Sequence, residues 1–211
     1  MKSAVFPYAD NSDNELEALL NMLALPLRGH SRRVSICCAI MTEQASEFTG
    51  LLDIPAGVSL PSIAHAGGSY HDIGKLLMPN RDIYYGTDEK DYRQHPVVGA
   101  ELLEKNKKYL FENGRVAQIA LDMVRYHHER PDGKGYPGGL GAKDIPLLAG
   151  ICALAEELDS RIYMKFESCY SIFNELHSQA GSAFCESAVI CLERAYPQLM
   201  VQYVKWNRGI A

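Results

Sequence analysis

The chain has no stretch approaching the ~18 uninterrupted apolar residues of a membrane span, and no basic start followed by an apolar run across Met1 to Tyr8. Neither a spanning helix nor a signal peptide is expected. It has no CxxC pair either. Its six cysteines, Cys37, Cys38, Cys152, Cys169, Cys185 and Cys191, fall mostly in apolar, helix-like segments, where a free thiol behaves as a small hydrophobe. They are expected to be reduced core thiols in a cytoplasmic protein. Cations are not in excess: the net charge is −5 and Lys and Arg are scattered, so no DNA-binding face is expected. Internal repeats, low-complexity tracts, linkers and long alternating apolar–polar runs are also lacking. What remains is 47% hydrophobic with helical periodicity over 211 residues, which predicts one all-α domain.

Residues 1–14 are expected to form a short N-terminal segment. Ser12 or Asp13 is expected to cap a helix carrying Leu16, Leu19, Leu20 and Leu23, which Pro26 should end. A second helix is predicted from about Ser31 to Phe48, with Val34, Cys37, Cys38, Met41, Ala45 and Phe48 on one face. Gly50 to Ser59 should be a loop. A third helix is predicted from Leu60 into His71 and Asp72, where Gly67 and Gly68 either weaken the helix or permit close packing. Pro79 to Asp91 is polar and turn-rich. Pro96 should open a helix over Val97 to Lys105, placing His95 at its entrance. Arg115 to Glu129 is strongly periodic and brings His127 inward at its end. Pro131 to Gly141 holds five glycines and two prolines and must be a structured loop. Leu147 to Leu158 carries Glu156, two helices are expected in Lys165 to Gln179 and Ser182 to Tyr196, and residues 201–211 are expected to form a tail holding Trp206.

Five of the seven histidines form an ordered series: His30, His71 next to Asp72, His95, and the pair His127 and His128, with Glu156 later. Neutral imidazole nitrogens with carboxylate oxygens suit Fe, Mn or Zn better than Mg or Ca. Each member alone has a plain structural explanation, since a His-Asp dipeptide can be a capped surface turn. His127 is different, because an unsatisfied imidazole on an apolar face would cost about 1–3 kcal/mol. Asp72 has two oxygens and can bridge two cations. A bridged pair brings the pKa of a shared water towards ~7 and clamps the oxygens of an in-line phosphoryl displacement, which makes phosphate ester hydrolysis the natural chemistry. Lys75, one turn after Asp72, either neutralises a phosphate oxygen there or is a solvated helix-end lysine.

With His71-Asp72-Ile73-Gly74-Lys75, His127-His128-Glu129-Arg130-Pro131-Asp132-Gly133-Lys134-Gly135-Tyr136-Pro137, His30 followed by Arg33 and Val34, and His95 followed by Gly99, the chain resembles the HD-GYP branch of the HD metal-dependent phosphohydrolases. The resemblance covers Leu16 to Tyr196, within a domain over residues 15–200. It implies a bundle of seven to eight helices, two divalent metal ions, Fe or Mn, and hydrolysis of cyclic di-GMP to pGpG or GMP by a metal-bridging hydroxide. By motif, His30, His71, Asp72 and Glu156 would hold one metal, and Asp72 would bridge to a second held by His95, His127 and His128. Asp72 and Lys75 would be the catalytic groups. Lys75 would contact the phosphate, and Gly135 and Tyr136 would shape the loop beside it.

The chain departs from the pattern in four places. Glu156 stands where the family has an aspartate, moving the carboxylate by roughly a bond length in a site that needs ~0.5 Å precision. Gly150 replaces an arginine, and the usual Arg-Pro-Tyr motif shortens to Arg161-Ile162-Tyr163, leaving Arg161 and Lys165 as the expected phosphate contacts. The stretch between Pro79 and His95 is a few residues short. Pro26 occupies the position of a glutamate in trinuclear members, so two metals are expected. Two alternatives stay open: a catalytically weak nucleotide-binding signalling protein, and a phosphohydrolase acting on another nucleotide. Two protein partners also stay open: a regulatory protein on the Gly-Tyr-Pro loop and a second copy in a homodimer.

Overall fold

The computed structural model describes residues 15–48, 54–55, 57–78, 92–163 and 168–209. Among them are eight α-helices and no extended strand: α1 Glu15–Met22, α2 Leu25–Thr42, α3 Leu60–Tyr70, α4 His95–Lys105, α5 Gly114–Tyr126, α6 Leu147–Tyr163, α7 Cys169–Ser178 and α8 Glu186–Asn207. The all-α expectation holds. No described helix is long and apolar enough to cross a membrane. All six cysteines are free, and five of them are buried.

Local chemistry sets the boundaries. Pro26 opens α2 rather than merely ending α1, because its fixed φ and missing N–H suit a first helical turn. The second helix therefore begins six residues before the expected Ser31, and His30 lies inside it. It ends at Thr42, where turns carry the chain on to Phe48. Ser59 caps α3 by accepting from the Ser62 N–H, and Asn113 caps α5 by accepting from Arg115 and Val116 N–H groups. The suggested caps Ser12 and Asp13, and all of Pro79 to Asp91, lie outside the described residues. At the far end, the expected tail is helical: α8 continues to Asn207, and Trp206 meets Tyr203 edge to face at 5.0 Å.

The main core joins α2, α3, α5, α6 and α8 through residues such as Cys38, Met41, Ile63, Met123, Leu154 and Leu199. A smaller core packs Leu16, Leu27, Tyr70, Ile73, Leu103 and Val124. Helices α3 and α5 contribute to both, so their C-terminal ends are held from two sides. Close packing explains the paired glycines of α3. A Cβ on Gly68 would stand 2.8 Å from Ser35 Cα of α2, and one on Gly67 would stand 2.5 Å from Met123 Sδ of α5.

Candidate metal centre

Two helix ends deliver the central candidate ligands. His71 is the C-cap of α3 and His127 the C-cap of α5, where the negative end of the helix dipole favours cations. Asp72 follows His71 directly, and a short 3₁₀ turn, Ile73–Leu77, carries Lys75. Gly74 lets this turn lie against the start of α4, where a Cβ would stand 2.0 Å from the His95 carbonyl oxygen. His95 opens α4, His30 comes from α2 and Glu156 from α6. Residues far apart in the chain thus converge.

Four of the five rings are oriented from behind. His71 Nδ1 donates to the Gly68 carbonyl at 2.8 Å, His95 Nδ1 to Tyr92 at 2.8 Å and His127 Nδ1 to Val124 at 2.7 Å. A carbonyl only accepts, so Nδ1 carries the proton and Nε2 presents a lone pair. His30 Nδ1 lies 2.8 Å from Asp159 Oδ2 in the same manner. The Nε2 atoms of His71 and His128, and Oδ1 of Asp72, are buried with no hydrogen-bond partner. Such orphaned acceptors are costly unless something electropositive fills the space between them.

The acceptors form two groups, each with its ligand atoms within 4.8 Å of one another: His30, His71, Asp72 and Glu156 in one, and His95, His127 and His128 in the other. Asp72 spans them. Its Oδ2 lies 3.5 Å from His71 Nε2 and its Oδ1 lies 3.3 Å from His95 Nε2. Glu156 reaches its group despite the extra methylene, its ligand atom lying within 4.8 Å of those of His30, His71 and Asp72, and its Oε2 also stands 3.9 Å from His128 Nε2 of the other group. The donor set, mixed imidazole and carboxylate with protonated Nδ1 atoms behind, fits a pair of divalent transition-metal ions.

Electrostatics keep the donors ready. Burial lowers His71 to about 4, His95 to about 3 and His127 to about 4, and drives His128 well down too, so these rings are neutral at pH 7. Burial works against ionised Asp72, but Lys75 and the surrounding imidazoles outweigh it and hold the carboxyl well below its usual range. Lys75 Nζ sits 2.6 Å from Asp72 Oδ2, and it also lies 5.2 Å from the centre of the Tyr92 ring. Burial pushes Glu156 upwards, with His127 opposing.

Beside the second group lies a cavity of about 590 Å³, lined by His128, Tyr136, Gly135, Lys134, Arg93 and Glu156 among others. The glycine-rich loop forms one wall. Glu129, only 3% exposed, accepts the Gly138 N–H at 2.5 Å and the Leu140 N–H at 2.8 Å, and Tyr136 N–H donates to the His128 carbonyl. Gly135 is required because a Cβ would stand 2.4 Å from the Arg130 nitrogen. The Tyr136 ring then stacks on His128, with centroids 4.7 Å apart and planes at 24°.

Of the sequence-expected residues, His127, His128, Glu156, Gly135 and Tyr136 line this cavity, whereas His30, His71, Asp72 and His95 complete the two donor groups and Lys75 sits on Asp72. Arg161 does not line the cavity: it is buried and donates to Glu175 Oε2 of α7 at 2.6 Å. Its helix, α6, runs five residues past the expected Leu158, which carries the side chain towards α7. Lys165 lies outside the described residues. Sequence reasoning gave no role to Asp159, Glu129 or Tyr92. The spacing of His30 and Arg33, one turn apart on a buried helix, was a usable signal, since that pair calls for a shared carboxylate.

The HD domain family matches residues 27–161. The chain belongs to the HD domain family. Its relatives, together with its ordered histidine series and Gly-Tyr-Pro loop, place it with the HD-GYP branch. It is 33% identical over 168 residues to a cyclic di-GMP phosphodiesterase response regulator of Xanthomonas campestris pv. campestris, covering 74% of this chain and 43% of that protein. It is 29% identical over 128 residues to a cyclic di-GMP phosphodiesterase of Thermotoga maritima, covering 56% and 33%. It is also 29% identical over 164 residues to a 3'3'-cGAMP-specific phosphodiesterase of Vibrio cholerae, covering 74% and 28%. The matched segments thus span less than half of each of these relatives.

Proposed function

We propose that this HD domain is a metal-dependent phosphodiesterase that hydrolyses cyclic di-GMP to pGpG or GMP. The observation that carries the reading is Asp72, whose two oxygens face two separate imidazole groups. His30, His71, Asp72 and Glu156 would hold one ion, and His95, His127 and His128, with Asp72, the other. Two such ions, Fe or Mn, would supply an activated water and charge stabilisation at the phosphoryl group.

The chain's own residues supply position and charge. Lys75 is held between Asp72 and the Tyr92 ring, which fixes an ammonium at the edge of the donor groups for a phosphate oxygen. Tyr136, braced against His128, presents an aromatic face to the cavity on which a base can stack, and Arg93 lies 5.4 Å from the ring's centre. The cavity's size suits a nucleotide rather than a polymer.

The test is turnover of cyclic di-GMP by protein loaded anaerobically with Fe(II) or Mn(II), alongside 3'3'-cGAMP, other nucleotides and an aryl phosphate. Intact cyclic di-GMP with both metals sinks the proposal. Cleavage of another substrate alone assigns a different phosphohydrolase. A second reading, binding without turnover, draws on Arg161, which pairs with Glu175 instead of facing the cavity. Tight nucleotide binding with turnover restored by Glu156→Asp would favour it.

A further inference from the structure

Four ligand histidines aim Nε2 inward by donating from Nδ1, but their acceptors differ in charge. His71, His95 and His127 each donate to a main-chain carbonyl. His30 donates to the Asp159 carboxylate, on the turn of α6 that follows Glu156. Asp159 is 1% exposed, and its remaining acceptor positions take Arg33 Nε at 2.7 Å and Arg33 Nη2 at 2.9 Å. The Arg33 guanidinium carbon in turn stands 3.9 Å from the centre of the Tyr163 ring. This carboxylate is committed to His30 and Arg33, and it is not among the grouped ligand atoms.

We infer that Asp159 is a positioning residue that makes the two donor groups unequal, strengthening the His30, His71, Asp72 and Glu156 group for a divalent cation. An imidazole that donates to a carboxylate is a better electron-pair donor at its other nitrogen than one that donates to a neutral carbonyl. The ring is also held in one orientation. Arg33 supports this by fixing both carboxylate oxygens, in the planar two-pronged geometry that a lysine cannot reproduce. Helix α6 thereby serves the same group twice, with Glu156 as a ligand and Asp159 behind a ligand. The inference rests on the two-metal reading above but not on the substrate.

The test is calorimetric titration of metal-free protein with Mn(II), with bound metal counted independently. Two classes of site are expected. Asp159→Asn keeps the size and an acceptor but removes the charge, and it should weaken one class by about 10–100-fold while leaving the other within about twofold. In a His30→Ala background, adding Asp159→Asn should cause no further weakening beyond about twofold, because the effect runs through His30. Arg33→Lys should weaken the same class by several-fold, and it replaces Asp159→Asn as the test if that variant fails to fold by circular dichroism. Equal weakening of both classes, additive losses in the double variant, or unchanged titrations overturn the inference. Failure of the substrate proposal would appear separately, as intact cyclic di-GMP with normal titrations.

Discussion

His95 and His127 bring their Nε2 atoms within 3.4 Å of each other while each ring donates its proton from Nδ1 to a main-chain carbonyl. That contact is not a hydrogen bond, because neither facing nitrogen carries a hydrogen when both rings are neutral. Two lone pairs confront each other, and a cation between them turns the repulsion into coordination. Adding Mn(II) at about 100 times its dissociation constant should therefore raise the melting temperature by roughly 5–10 °C, and a chelator should reverse it. Differential scanning calorimetry with and without metal checks this. An unchanged Tm would mean that the facing nitrogens do not bind metal.

Asp72 and Lys75 touch at 2.6 Å yet should fail in different ways. Asp72→Ala removes the bridging oxygens and should lose bound metal together with activity. Lys75→Ala should keep both metals and lower kcat by about 10²–10³-fold, as removal of a charge-stabilising donor does. Metal content by elemental analysis beside steady-state kinetics separates them. Equal metal loss in the two variants would assign Lys75 a structural role.

Glu129 holds the Gly-Tyr-Pro loop through two main-chain N–H groups. Truncating it removes the acceptor of both N–H groups at about 0.5–1.5 kcal/mol each. Glu129→Ala should therefore lower Tm by several degrees, raise KM by loosening Tyr136, and leave metal stoichiometry intact. Glu129→Gln still offers one acceptor and should fall between. Loss of metal in Glu129→Ala with an unchanged KM would place the role in the ligand group instead.

Much of the grouping of candidate ligands was legible because histidine and carboxylate side chains are chemically distinctive and several sit at helix ends marked by their own signals. His71 follows a helix capped at Ser59, His95 precedes Pro96, and His127 closes the most amphipathic of the described helices. Positions fixed by tertiary contact were less legible. Pro26 both ends one periodic run and begins another, and only the packing of α2 decides how far that second helix extends. Arg161 looked like a phosphate contact by motif, whereas the added turns of α6 aim it at Glu175. Asp159 ends the Ala155-Glu156-Glu157-Leu158-Asp159 segment, but its tie to His30 and Arg33 was not legible because those partners lie 129 and 126 positions away.

Acid should destabilise the metal-free protein, and the sign follows from the buried rings. His71, His95 and His127 hold folded pKa values of about 4, 3 and 4, depressed chiefly by burial from an ordinary 6.5. As pH falls below about 6.5 the unfolded chain takes up protons that the folded chain refuses, so stability drops until the folded pKa is reached. Two groups act in the opposite sense. Burial raises Glu156, and Asp159 outweighs burial to raise His30, so both favour the folded state as protons are added. Three depressed rings, with His128 also driven down, outnumber those two. The Tm of metal-free protein should fall by at least ~5 °C between pH 7 and pH 5. Replacing His95, the lowest of those three rings, by Gln should flatten that slope. A Tm that stays level or rises towards pH 5 would show that these imidazoles protonate without cost in the folded state.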